Sequence, residues 1–204
     1  MGSDKALALF AGRPLIAVVV ETLAAAGLSA QIAGSRSPLA AYAPEIPDTW
    51  KSNSGSAGPL AGIQAALSVS QSEWNVFVTV DCPLIPASLL RCLIDRAILT
   101  RSPVTVASLN GRLEPFPVVL HRNSLRVIEA MLENGERACQ AAWRAICSEQ
   151  DKSMQLVAVE NLIQCEQLCH PLCLPPACWF QSANTPDELN WLNELQRSRP
   201  SPVF

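Results

Sequence analysis

Apolar residues along this chain alternate between two spacings, and the changes mark out a series of strands and helices. Leu15, Val19, Thr22, Leu23 and Ala26 recur at helical spacing, with Gly12-Arg13-Pro14 as a helix start ahead of them and Gly27 as a stop behind. Leu60, Ile63 and Leu67 form a second stripe after Pro59. Further helices are predicted over 87–99, 124–132, 138–146 and 186–195. Short runs read as strands over 6–10, 29–34, 76–80, 104–108, 116–120 and 155–159. A stretch rich in Pro, Ser and Gly, about 43–58, reads as a loop. Strand and helix alternate through the first half, which predicts an α/β fold with a mostly parallel sheet covered by helices on both faces. With no repeat and no visible boundary, residues 1–204 read as one three-layer domain.

One strand run carries more than packing. Val76-Phe77-Val78-Thr79-Val80 reads as a strand buried on both faces, and Asp81 follows it directly. A carboxylate at the carboxyl end of such a strand lies where open α/β sheets bind ligands. Pro83 and Pro86 end the strand and open the next helix, so Asp81 is held on a short, stiff turn. A hard carboxylate there suits Mg²⁺ and, through it, a nucleotide phosphate. Taken alone, Asp81 is equally a turn-starting or helix-capping residue.

Composition narrows the classes. The 204 residues are 49% apolar and include five Trp, as a globular chain with a sizeable core requires. A net charge of −3 gives no basic footprint for nucleic acid. The apolar runs are too short for a membrane span, and the first residues lack the order of a signal peptide. The expectation is a cytoplasmic protein, with its eight Cys mostly reduced. Four of them cluster with a histidine, as Cys165-x₃-Cys169-His170-x₂-Cys173-x₄-Cys178. Zn²⁺ is one reading, but the spacings are not those of paired C-x₂-C sites, and a variable loop is the expectation.

Five segments then fall into one pattern. They are Met1-Gly2-Ser3-Asp4-Lys5, Gly12-Arg13-Pro14-Leu15, Gly58-Pro59-Leu60-Ala61-Gly62-Ile63, Val80-Asp81-Cys82-Pro83 and Asn184-Thr185-Pro186-Asp187-Glu188-Leu189. In this order the chain resembles the molybdenum cofactor guanylyltransferases of the MobA type, a branch of the Rossmann-like nucleotidyltransferases. The resemblance runs to about Leu195 and is thin between about Asn161 and Cys178. It implies transfer of GMP from GTP to molybdenum-molybdopterin with loss of pyrophosphate and with Mg²⁺ as cofactor. Molybdoenzyme maturation proteins are the implied partners. The two rival readings are a cytidylyl- or other nucleotidyltransferase of the same fold, and a degenerate, non-catalytic pterin-binding protein.

The resemblance also assigns residues. Lys5 matches the lysine that closes the family's phosphate loop and binds GTP. Asp48 matches a nucleotide-binding aspartate ahead of G-P-L-x-G. Asp81 matches the catalytic and metal-binding aspartate, which also serves GTP. Asn184 matches the second Asn of F-x-N-x-N-T-P, facing metal or pterin phosphate, while Phe180 fits the Phe and Ser182 replaces the first Asn. After the second strand, Ala33-Gly34-Ser35-Arg36 stands in place of a polar run with Asn, and Ser35 is the candidate substitute contact. The family's first strand and L-A-G-G-x-S-x-R loop would precede Met1. The chain thus reads as N-terminally truncated relative to the family, with Met1 matching an internal methionine.

Overall fold

The computed structural model describes residues 5–34, 37–48, 50 and 58–197. A 3-10 turn, Lys5–Leu7, leads to β1 (Leu9–Phe10), which folds back antiparallel on β2 (Arg13–Pro14). The helix α1 (Leu15–Ala25) follows, and Gly27 ends it with a φ of +78°, a conformation open to glycine at little cost. β3 (Ile32–Ala33) pairs in parallel with β4 (Glu45–Ile46), a short strand inside the stretch expected as loop. Next come α2 (Pro59–Val69), β5 (Trp74–Phe77) and α3 (Ala87–Thr100). β6 (Val104–Leu109) and β7 (Arg112–His121) form a hairpin, followed by α4 (Leu125–Glu133), α5 (Cys139–Glu149) and β8 (Gln155–Ala158). Three helices close the described residues: α6 (Val159–Gln164), α7 (Pro176–Trp179) and α8 (Pro186–Arg197).

The expected α/β class holds, with helices in layers on both faces. The main sheet has the order β5-β7-β6-β8 and is mixed where a mostly parallel one was expected. β7 runs antiparallel to both β5 and β6, and only β6 and β8 are parallel. The cause is the Asn110-Gly111 turn, whose φ values of +50° and +73° suit a tight hairpin. A hairpin sends the next strand back beside the last.

Alternation along these strands divides the core. Val104, Val106, Val118 and Leu120 pack under α2, α4 and α5 on one face. Ala107 and Val119 face α3, α6 and Trp179 on the other. A third cluster joins Phe10, Leu15 and Leu84 to Cys178, Ala183 and Leu192, and so ties the two ends of the chain to the turn after β5.

β5 differs from the strand expected over 76–80. It starts at Trp74 and stops at Phe77, which pairs with Val118. Continuing that register sets Val78 opposite Pro117, which has no N–H to offer the ladder. Its residues are half-buried, not buried on both faces, because β5 lies at the edge of the described sheet. Val78, Thr79 and Val80 then run on without strand pairing to Asp81. Among the described residues, no helix is long and apolar enough to cross a membrane.

Candidate active site

Three residues from distant parts of the chain meet at the end of β5. Lys5 comes from the 3-10 turn, which buried Ala6 anchors. Its ammonium lies 2.8 Å from Oδ2 of Asp81 and also donates to Oδ1 of Asn184. The Lys5 and Asp81 side chains remain 30% and 21% exposed, so a ligand can reach both. Burial on its own would raise the Asp81 carboxyl. Hydrogen bonds from Lys5 and Thr79, with the Lys5 charge, outweigh it and hold the group below its ordinary value.

The segment before α8 explains how Asn184 becomes available. Ahead of Pro186 the structure gives the helix cap to Thr185. Its hydroxyl accepts from the Glu188 amide at 3.2 Å, and Glu188 Oε2 accepts from the Asn184 and Thr185 amides at 2.8 Å each. This is a capping box. Asn184 keeps its side chain free of the helix. Its Nδ2 donates to the Ser182 hydroxyl, which leaves Oδ1 turned to Lys5. Ser182, the departure from the family's first Asn, thus orients the second one. The Ala183 amide donates to the Asp81 carbonyl at 2.8 Å and fastens the segment to the turn.

Asp48 is not part of this cluster. It is exposed, beyond β4, beside the first turns of α2. A Cβ built on Gly62 would stand 3.9 Å from Asp48 Oδ1 and only 3.0 Å from the Ala33 Cβ. Gly62 therefore lets α2 approach β3. Gly58, ahead of Pro59, takes a φ of +68° that other residues rarely adopt. Ser35 and the segment Met1 to Asp4 lie outside the described residues.

The remaining candidate groups have other employment. Burial pushes the Cys82 thiol up to about 11, which keeps it neutral beside Asp81. His121 lies at the far end of β5, 3.3 Å from Glu73 and edge-on to Trp74. His170 is buried with both ring nitrogens in hydrogen bonds inside the chain. Cys165, Cys169 and Cys173 are exposed and Cys178 is buried. Among the described residues, no three of the His, Cys, Asp and Glu side chains come together as a metal cage. Mg²⁺ does not need one, since one or two carboxylates with substrate phosphates hold it. The oxygens of Asp81 and Asn184 already converge on a cation, the Lys5 ammonium, so the donor set fits a hard divalent ion.

Residues 1–188 match the pattern of the MobA-like NTP transferase domain. The chain belongs to that family. It is an enzyme of the nucleotidyltransferase class. A molybdenum cofactor guanylyltransferase of Photobacterium profundum is 31% identical over 145 residues, covering 70% of this chain and 73% of that protein. One from Vibrio atlanticus is 28% identical over 197 residues, covering 96% and 89%. Among solved structures, molybdopterin-guanine dinucleotide biosynthesis protein A of Archaeoglobus fulgidus superposes with a TM-score of 0.72 at 20% identity, over 95% of this chain and 91% of its own. A 2-C-methyl-D-erythritol 4-phosphate cytidylyltransferase of Thermus thermophilus gives 0.65 at 17% identity, over 95% and 94%. At those identities the two structures speak for the fold alone. A neighbour from Mycobacterium tuberculosis, with a TM-score of 0.61, was solved in complex with manganese.

Proposed function

We propose that this protein transfers GMP from GTP to molybdenum-molybdopterin and releases pyrophosphate. The observation that carries the reading is the meeting of Lys5, Asp81 and Asn184 at the end of β5, in a chain whose curated relatives are guanylyltransferases. A terminal phosphate oxygen of molybdopterin attacks the α-phosphorus of GTP, and the bond from that phosphorus to the pyrophosphate oxygen breaks. The attacking oxygen is already anionic at neutral pH, so no side chain has to remove a proton. This agrees with a cluster that holds neither histidine.

Each residue then has a defined task. Lys5 gives up Asp81 for a phosphate oxygen of GTP and neutralises charge as pyrophosphate leaves. Asp81, held ionised, and the Oδ1 of Asn184 would hold Mg²⁺ against the phosphates. The ion supplies charge stabilisation at the α-phosphorus and on the leaving group. Ser182 keeps Asn184 turned inward. Asp48 serves the nucleotide from the α2 side, and Ser35 remains its candidate companion. All eight cysteines are free, which supports the reading of a reducing, cytoplasmic setting. Maturation proteins of molybdoenzymes would receive the product.

The test is direct. Purified protein, molybdenum-molybdopterin and Mg²⁺ are incubated with GTP or, in parallel, CTP, and pyrophosphate and the dinucleotide are measured. GTP-dependent product that disappears in Asp81→Ala is expected. Preference for CTP would overturn the base assignment. Failure to turn over or bind either nucleotide would favour a non-catalytic protein.

A further inference from the structure

The turn that carries Asp81 is weakly held by its own backbone. Pro83 and Pro86 have no N–H, and the internal bonds, Cys82 amide to Thr79 carbonyl and Ile85 amide to Cys82 carbonyl, are both 3.5 Å. Shorter bonds reach it from the Cys-rich segment and from the residues just after it. Ala183 donates to the Asp81 carbonyl at 2.8 Å, and Nε2 of His170 lies 2.9 Å from the Leu84 carbonyl. Nδ1 of His170 accepts from the Leu172 amide at 3.0 Å, so the ring proton is on Nε2 and is donated to Leu84. The ring is 6% exposed, with its centroid 5.5 Å from that of Trp179, whose indole donates to the Leu174 carbonyl at 2.9 Å. Ser88 adds a 3.3 Å bond to the Cys169 carbonyl.

We propose that His170 is a positioning residue for Asp81, clamping the turn at Leu84 while Ala183 clamps it at Asp81. Packing alone would have been served by leucine. A buried imidazole with both nitrogens satisfied is there for its two directed bonds. Through them the Cys-rich segment fixes where the Asp81 carboxylate stands relative to Lys5 and Asn184. The inference rests on the role proposed for Asp81.

Two variants test it, His170→Leu and His170→Gln. The leucine fills the space without a donor, and the glutamine amide restores an N–H to Leu84. In the leucine variant, kcat is expected to fall about 10- to 100-fold, as displacement of a catalytic group does. KM for GTP should stay within about threefold, and the Mg²⁺ concentration for half-maximal rate should rise, since Asp81 serves the metal more than the base. Hydrogen exchange of the Ala183 amide should quicken. Glutamine should recover most of each. Parental kcat and Ala183 exchange in the leucine variant would overturn the proposal. So would a glutamine variant no better than leucine when both melt with the parent. Faster Ala183 exchange in a protein without GTP-dependent transfer would uphold the clamp and remove the proposed reaction.

Discussion

Two regions of this molecule are held together in opposite ways. The β6–β7 hairpin and the helices α2, α4 and α5 are held by burial: Val104, Val106, Val118, Leu120, Ile128, Trp143 and Ile146 are all 0% exposed. The corner of Lys5, Asp81 and Asn184 is half open to solvent and is held by directed hydrogen bonds. β5 belongs to both, with one edge paired to β7 and its end leading to Asp81. The difference separates stability from chemistry. A side chain in the first region should change how much protein is folded, and one in the second should change what the folded protein does.

The largest expected effect tests the second half of that statement. Asp81→Ala should lower guanylyl transfer by about a thousandfold or more, since loss of a metal carboxylate removes several kcal/mol of transition-state stabilisation. Its melting temperature should stay within a few degrees of the parent, because Lys5 keeps its bond to Asn184. Activity within a few-fold of the parent would sink the metal role. Trp143→Ala is the mirror image. Its indole is buried, edge-on to Phe116, and donates to the Pro115 carbonyl at 3.3 Å. Loss of the ring should cost about 3–5 kcal/mol of stability, read by urea unfolding, with turnover per folded molecule unchanged. A fall in that turnover would break the separation.

Smaller effects sharpen it. Lys5→Ala should weaken GTP binding or slow transfer about 10- to 100-fold and leave pterin binding largely unchanged. A half-exposed ion pair contributes at most about 1 kcal/mol to stability, so melting should barely move. If pterin binding fell and GTP binding held, the two pockets would be reversed. Thr185→Ala removes the hydroxyl that caps α8 and should cost about 1 kcal/mol. It should also reduce transfer slightly, because the capping box positions Asn184. Transfer unchanged at equal folded fraction would confine that cap to stability.

What the sequence disclosed follows the same division. The stripes of α1 and α2 were legible because helical periodicity is local. Lys5, Asp81 and Asn184 were singled out through motif order, and the structure brings them into contact across 76 and 179 positions. The mixed sheet was less legible. β7 begins in Arg112-Leu113-Glu114-Pro115, a run with two charges and a proline, which masks a strand that Asn110-Gly111 in fact announces. The employment of Ser182 and His170 is set by partners brought in by tertiary packing, Asn184 in one case and the Leu84 carbonyl in the other. Composition carries no trace of such pairings. The capping box is local by contrast, lying within the four consecutive residues Thr185-Pro186-Asp187-Glu188.

The smallest expected effect concerns the exposed cysteines. Replacing Cys165, Cys169 and Cys173 together with Ser should leave transfer and melting unchanged. Their side chains face solvent, and the contact that Cys169 makes with Ser88 uses its backbone carbonyl, which serine keeps. Cys173 has a φ of +52°, a conformation no harder for serine than for cysteine. His170, the one histidine among them, accepts from the Leu172 amide through the same Nδ1 lone pair that a metal would need, while its Nε2–H serves Leu84. The segment on this view works through its backbone, its imidazole and Trp179, and the thiols are passengers. Metal analysis of the parent beside unfolding of the triple variant decides it. Stoichiometric Zn²⁺, lost in the variant along with folding, would show that this corner is held by coordination as well as by hydrogen bonds, and the comparison would have to be redrawn with a third kind of cohesion in it.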